Sequence, residues 1–382
     1  MASERPGFGI YIHWPFCAAK CPYCDFNSHV RKAVDHGVWR ESLLSDLRYQ
    51  SEKTERQEVT SIFFGGGTPS LMEPETVGAL IDEVSRIWQV SNDLEVSMEA
   101  NPTSVEADRF REYRLAGVNR VSMGIQALND TDLKALGRMH SAKEAMAAFE
   151  VARDHFERIS FDLIYARQNQ SALDWERELS AALDMAVDHL SLYQLTIEAG
   201  TRFGDLYDRK MLRGLPSEGL GAELYEITQD LCGDSGMPAY EVSNHAREGS
   251  ECRHNLTYWR YEPYLGVGPG AHGRNLRDGQ RYETVSLSNP EAWLQSVQET
   301  GSGVKTDEAL SGEEAGTEYA LMCLRLSEGL SLERFERLSG RRLDPSKILD
   351  LISQELVSLE GDRLRTTSKG RPVLNAILAE LL

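Results

Sequence analysis

The sequence predicts an α/β fold: a parallel sheet with crossover helices, followed by a mainly helical C-terminal domain. Three observations carry this expectation. From Phe8 to about Thr196, six short apolar runs alternate with longer amphipathic stretches, the pattern of βα units. Glycines and isolated polar residues cluster at the ends of those runs, where α/β barrels gather their active sites. From about Thr306 the alternation gives way to helices and a hairpin.

The six predicted strands are GIYIH, TSIFF, LEVSME, VNRVSMGIQ, RISFDLIY and HLSLYQLT, with helical stretches such as PETVGALIDEVSRIW and EADRFREYRLAG between them. Parallel neighbours need such crossovers, so the sheet is either open and doubly wound or a partial barrel. Pro74, Ser104 and Ser171 mark helix starts, where a first-turn proline or a serine cap is favoured. Residues 236–305 read as an irregular, aromatic and glycine-rich connection containing HNLTYWRYEPYLGVGPGAHG. Helices near 312–326, 331–339 and 344–355, the hairpin LVSLEGDRLRTT and a last helix then suggest a winged-helix-like unit. The expected division is 1–235, 236–305 and 306–382.

Charge narrows the function. Among 382 residues, 41 Lys and Arg face 60 Asp and Glu, a net of -19, which opposes non-specific contact with nucleic acid or anionic membranes. Residues 306–382 carry ten basic against fourteen acidic residues, so the winged-helix-like unit is not expected to bind DNA. The opening MASERPGFGI lacks a secretory pattern and no apolar run is long enough for a membrane helix; a cytoplasmic protein is expected. In a reducing compartment, a tight cysteine cluster is more often a metal or redox site than a disulfide.

That cluster is CAAKCPYC, with Cys17, Cys21 and Cys24 in eight residues. Three thiolates suit a structural zinc completed by His29 or His13, or an iron–sulfur cluster. Zinc sites usually draw ligands as two pairs from separated segments, and no second pair lies nearby. A four-iron cluster on three cysteines would leave one iron open for a ligand.

CxxxCxxC after the first strand, with GGGTPS after the second, resembles the radical S-adenosylmethionine superfamily. The resemblance implies a partial (β/α)6 barrel in residues 1–235, a 4Fe-4S cluster on Cys17, Cys21 and Cys24, and S-adenosylmethionine at the open iron. It further implies that Gly66, Gly67 and Thr68 meet the methionine moiety, and that Tyr11, Glu99, Gln126, Arg138 and Asp162 line the same pocket. These last positions match the coproporphyrinogen-oxidase-like branch.

Within that branch, "IYIHWPFC", "CPYCDFNS", "DLIY" and "HNLTYW" are similar to a haem chaperone subfamily. The related oxygen-independent coproporphyrinogen III dehydrogenase carries a fourth cysteine two residues after the third, and a longer segment ahead of the cluster. Here Phe26 takes the cysteine's place and sixteen residues precede Cys17. Phe26 is expected to pack beneath the loop. The resemblance implies haem contact at His254, Tyr258 and Trp259, with Tyr261 and Tyr264 as further flat surface, and Cys252, His245 and His272 as competing ligands. It also implies delivery to recipient haem proteins and a cluster-linked homodimer. The alternatives are porphyrinogen decarboxylation and a zinc-stabilised binding protein.

Overall fold

The structure, a computed structural model, describes residues 7–382. The first six residues of the opening and the Ser104 side chain, expected to cap a helix, lie outside the described residues. All six predicted strands form: β1 (Phe8–Trp14), β2 (Val59–Gly66), β3 (Val90–Ala100), β4 (Arg120–Gln126), β5 (Arg158–Tyr165) and β6 (His189–Gln194). They pair in parallel in that order. Their central residues are nearly all buried, as expected for a sheet covered by helices.

The stretch read as irregular adds most of what the sequence did not show. It supplies β7 (Asn244–Ala246), β8 (Tyr264–Val267), β9 (His272–Arg277), β10 (Gln280–Ser286) and β11 (Val304–Ala309). β8 lies parallel to β1, whereas β9, β10 and β11 continue antiparallel from it. The result is an 11-stranded sheet in the order β11-β10-β9-β8-β1-β2-β3-β4-β5-β6-β7, a partial barrel with two free ends. β8 is only four residues long and is followed by Gly268 and Gly270, so its period was too short to register against the surrounding glycines.

Helix starts follow local chemistry. Pro74 opens the helix Pro74–Ile87, and Ser171 forms a capping box with Asp174 ahead of Ala172–Met185. The single helix expected over 106–117 is instead two, Ser104–Ala107 and Phe110–Ala116. Glu106 causes the break: its buried carboxylate accepts the Asn101 backbone N–H at 2.8 Å and the Ser70 hydroxyl, which folds the short first turn back onto the end of β3.

The helix His36–Glu52 fastens the added strands through one buried carboxylate. Asp46 accepts the backbone N–H groups of Gly303 at 3.1 Å and Gly268 at 3.3 Å, the Gln50 amide at 3.1 Å and the Ser302 hydroxyl at 3.3 Å. Asp46→Ala would leave two buried amides without an acceptor, at about 1–3 kcal/mol each. Thermal unfolding is therefore expected to shift down by several degrees, and an unchanged midpoint would refute this role.

The C-terminal elements match expectation. Helices Gly312–Cys323, Leu332–Ser339, Pro345–Ser353 and Leu374–Leu381 surround a small sheet of β12 (Leu330–Ser331), β13 (Val357–Glu360) and β14 (Arg363–Thr366). Its own apolar cluster includes Phe335, Leu351, Leu364 and Ile377. Tyr261 joins that cluster from the barrel side and donates its hydroxyl to Glu318 at 2.7 Å. Among the described residues, no helix is long and apolar enough to cross a membrane.

Candidate functional site

The cysteine loop leaves β1 and lies over the carboxyl ends of the strands. Its path is fixed by the glycine loop after β2: Gly67 N–H donates to the Trp14 carbonyl at 2.7 Å and Thr68 N–H to the Phe16 carbonyl at 2.9 Å. Side chains are excluded here. Gly66 has φ 114°, and a Cβ on Gly67 would stand 2.8 Å from the Phe16 carbonyl oxygen, a backbone atom that cannot move aside.

Hydrogen bonds reach the sulfurs from the barrel. Thr68 Oγ1 donates to Cys17 Sγ at 3.4 Å, Arg138 Nη1 donates to Cys21 Sγ at 3.3 Å, and Cys24 Sγ lies 3.9 Å from Ser28 Oγ. Asn101 joins the first two by donating to Thr68 Oγ1 at 3.2 Å and accepting from Arg138 Nη2 at 2.7 Å. Donors aimed at sulfur, one of them a guanidinium, suit the electron-rich sulfur of a metal-bound thiolate.

This donor set fits a four-iron cluster better than a single ion. Among the described residues, no three His, Cys, Asp or Glu side chains converge on one ion position. His13, offered as a fourth zinc ligand, is engaged at both nitrogens: Nε2 meets the Asn27 carbonyl at 2.9 Å and Nδ1 the Tyr11 hydroxyl at 3.0 Å. His29 Nε2 lies 3.1 Å from Asn27 Oδ1. A cube spreads its three cysteines over three irons, so they need not share a focus. Burial raises the Cys17 and Cys24 thiols, so cluster assembly must release their protons.

Below the loop a cavity of about 570 Å³ opens into the barrel. Of the residues expected around adenosylmethionine, Tyr11, Gly66, Glu99 and Asp162 line it; Gly67, Thr68, Gln126 and Arg138 are not among its lining residues, and Thr68 and Arg138 instead contact the cysteine sulfurs. Gln126 ends β4 at φ 75°, a left-handed conformation costly for a non-glycine residue and common at functional sites. Its amide lies against Gly124 beside Arg138.

Glu99 accepts the Gly66 N–H at 3.2 Å. Burial first, and then the charge of Asp162, push its carboxyl up to about 8. Asp162, which accepts from Ser122 at 3.2 Å, is pushed up to about 6 by burial.

The residues expected at haem divide by helical phase. On the helix Arg253–Trp259, His254 and Tyr258 are four apart and share the face toward the cavity. His254 stacks against Phe63 and Tyr11, with ring centroids 5.1 and 6.0 Å away, and its Nδ1 pairs with Ser61 Oγ at 3.1 Å. Burial pushes it down to about 4, so the imidazole is neutral near pH 7. Trp259 lies on the opposite face with the Arg325 guanidinium 4.6 Å from its ring, and Tyr261 lies among C-terminal residues. Tyr264 and His272 line the cavity.

Other expected ligands are committed elsewhere. Cys252 is a buried thiol pushed up to about 12 by burial, and it donates to Glu95 at 3.4 Å. His245 Nε2 contacts the Gln229 amide at 3.3 Å. Phe26 does not pack beneath the loop: it is 60% exposed at the cavity mouth. Asn101, Arg120, Ser122 and His189 were not anticipated, since each reads as ordinary strand or loop polarity until adjacent strands bring it to the site.

Residues 11–180 match the radical SAM superfamily and residues 310–373 the HemN C-terminal domain. The chain covers 98% of itself and 90% of coproporphyrinogen III oxidase (HemN) from Escherichia coli at a TM-score of 0.81 with 21% identity, a likeness of fold. Fold and site thus define the class as a radical SAM barrel with a HemN-type C-terminal domain.

Among its relatives, the heme chaperone HemW of Escherichia coli is 35% identical over 98% of each chain. The mitochondrial radical S-adenosyl methionine domain-containing protein 1 of Bos taurus is 36% identical over 100% of this chain and 89% of its own. The HemW of Bacillus subtilis is 34% identical over 97% of this chain and 98% of its own. The chain belongs to this HemW family of radical SAM proteins, a membership that implies a 4Fe-4S cluster and S-adenosylmethionine.

Proposed function

We propose that the protein is a haem carrier: it holds a 4Fe-4S cluster through Cys17, Cys21 and Cys24, binds adenosylmethionine beneath it, and delivers haem to recipient haem proteins. The observation that carries the haem reading is His254. It is a neutral imidazole on the cavity wall, with Nδ1 tied to Ser61 and Nε2 engaged by no described residue. Neutral imidazole is a normal axial ligand of haem iron; Tyr258, inclined at 70° to the imidazole, offers a face to the macrocycle, while Tyr11 and Phe63, within 25° of the imidazole plane, would meet it edge-on.

Bound cluster and adenosylmethionine would together supply one-electron cleavage of a carbon–sulfur bond. The chain's part is to orient and enclose. Thr68 and Arg138 direct donors at sulfur, Gly66 leaves its backbone bare, and Tyr11, Glu99 and Asp162 provide polar contacts beneath. Phe26 at the mouth can neither ligate metal nor relay a proton. That favours carriage over the decarboxylation performed by the dehydrogenase with its further cysteine. Cluster-linked dimerisation belongs to the same reading.

His254→Ala is expected to weaken haem binding at least tenfold, measured by absorbance titration, while the cluster spectrum is unchanged. Wild-type affinity in that variant would remove His254 as the principal ligand.

A further inference from the structure

The lower half of the cavity holds a cation that the reading above leaves unused. Arg120 begins β4, six residues before Gln126, so it sits roughly 20 Å down the strand from the cluster end. It is 2% exposed. Its Nη2 donates to Ser160 Oγ at 2.8 Å and its Nη1 lies 3.4 Å from Ser97 Oγ. Neither partner carries charge. The nearby carboxylates Glu95 and Asp188, both bonded to Arg158 at 3.0 Å, favour the Arg120 cation without a hydrogen bond to it. Arg120 Nε is buried with no partner among the described residues.

A second unpartnered group stands beside it. In the strand register Arg120 reaches Ser160, and Ser160 is paired with His189. His189 is 1% exposed, and its Nε2 lies 3.0 Å from the Tyr240 hydroxyl, which already accepts from Asn255 Nδ2 at 3.1 Å. A Tyr240 hydroxyl that donates to Nε2 puts the His189 proton on Nδ1, whereas one that accepts from both neighbours leaves Nδ1 an acceptor. That Nδ1 is also buried with no partner among the described residues. Burial and the Arg120 charge hold His189 neutral. Both residues line the cavity.

A buried guanidinium and a buried imidazole, each with one nitrogen left without a partner among the described residues, keep hydrogen-bonding capacity for a polar group of a ligand. We propose that Arg120 and His189 form a carboxylate pocket at the cavity floor, which takes an acidic side chain of the tetrapyrrole whose iron His254 would ligate. Tyr11, Phe63 and Tyr258 line the same cavity, matching a ligand with an apolar body and a carboxylate at its edge. The carboxylate of adenosylmethionine is a poor occupant, because the expected contacts for its methionine moiety, Gly66, Gly67 and Thr68, lie at the opposite end of the barrel. This inference rests on the haem reading and specifies how the ligand is oriented.

The test compares haem with haem dimethyl ester, in which both carboxylates are masked, on anaerobically reconstituted full-length protein. Wild type is expected to bind the free acid at least tenfold more tightly than the ester. Arg120→Gln is expected to lose that preference while keeping the ester affinity and haem spectrum of wild type, a result that a merely structural role for Arg120 would not give. Equal affinity of wild type for acid and ester overturns the pocket and leaves the haem reading standing. Failure of wild type to bind either one overturns the haem reading. Should Arg120→Gln not fold, the acid-to-ester ratio in wild type and in His189→Phe decides alone, with an undiminished ratio in His189→Phe removing His189 from the pocket.

Discussion

Replacing any one of Cys17, Cys21 or Cys24 by Ser is expected to remove most of the iron and acid-labile sulfide that the wild-type protein takes up on anaerobic reconstitution. Each sulfur is met by its own neighbour: Thr68 at Cys17, Arg138 at Cys21 and Ser28 at Cys24. Serine is a poor thiolate substitute because its hydroxyl stays protonated near neutral pH and is a harder donor. The cage has no spare thiol, since Cys232, Cys252 and Cys323 are buried elsewhere. Iron and sulfide analysis reads the result, and retention of a full cluster by all three variants would be incompatible with the site. A wild-type protein that held one zinc and no iron would restore the zinc reading instead.

Glu99→Gln is expected to separate stability from ligand binding. Glu99 is enclosed, faces Asp162 and is held up at about 8 from an ordinary 4.5. A carboxyl raised in this way stabilises the fold fully below its unfolded value, and that contribution is lost as pH rises through the folded value. Glu99 therefore disfavours the folded state increasingly between about pH 4.5 and 8. Water in the cavity screens part of this, so the penalty near pH 7 is on the order of 1–2 kcal/mol.

Glutamine keeps the shape without the charge. The variant is expected to melt a few degrees above wild type at pH 7–8 and to match it near pH 5, as followed by thermal unfolding. If Glu99 contacts adenosylmethionine as proposed, the same variant loses at least tenfold in affinity for it by equilibrium dialysis, the stability–function exchange expected of an active-site charge. A variant less stable than wild type at pH 8, or one with undiminished adenosylmethionine affinity, would contradict the assignment.

Legibility in the sequence followed the length of the signal. β1 to β6 each present five or more residues of apolar pattern, and all six stand where the runs predict them. Cys17, Cys21, Cys24 and the glycine loop were legible because their chemistry needs particular residues at close spacing. β8 was hidden by its length and by glycines that serve close backbone contact: a Cβ on Gly266 would stand 2.0 Å from the His272 carbonyl oxygen.

Within HNLTYW the four-residue spacing of His254 and Tyr258 already fixes a shared face, whereas Trp259 and Tyr261 fall outside it and pack toward the C-terminal unit. Arg120 and His189 could not be read at all. Each begins an apolar strand, and their meeting depends on β4, β5 and β6 lying side by side in register. A long-range pairing of this kind leaves no local mark.

Parallel titration of one anaerobically reconstituted sample with haem and with coproporphyrinogen III tests the central claim most directly, with adenosylmethionine and a reductant present in the second arm. The account predicts a full four-iron complement, saturable haem binding that His254→Ala weakens, and no protoporphyrinogen. Robust porphyrinogen turnover without haem binding would contradict it.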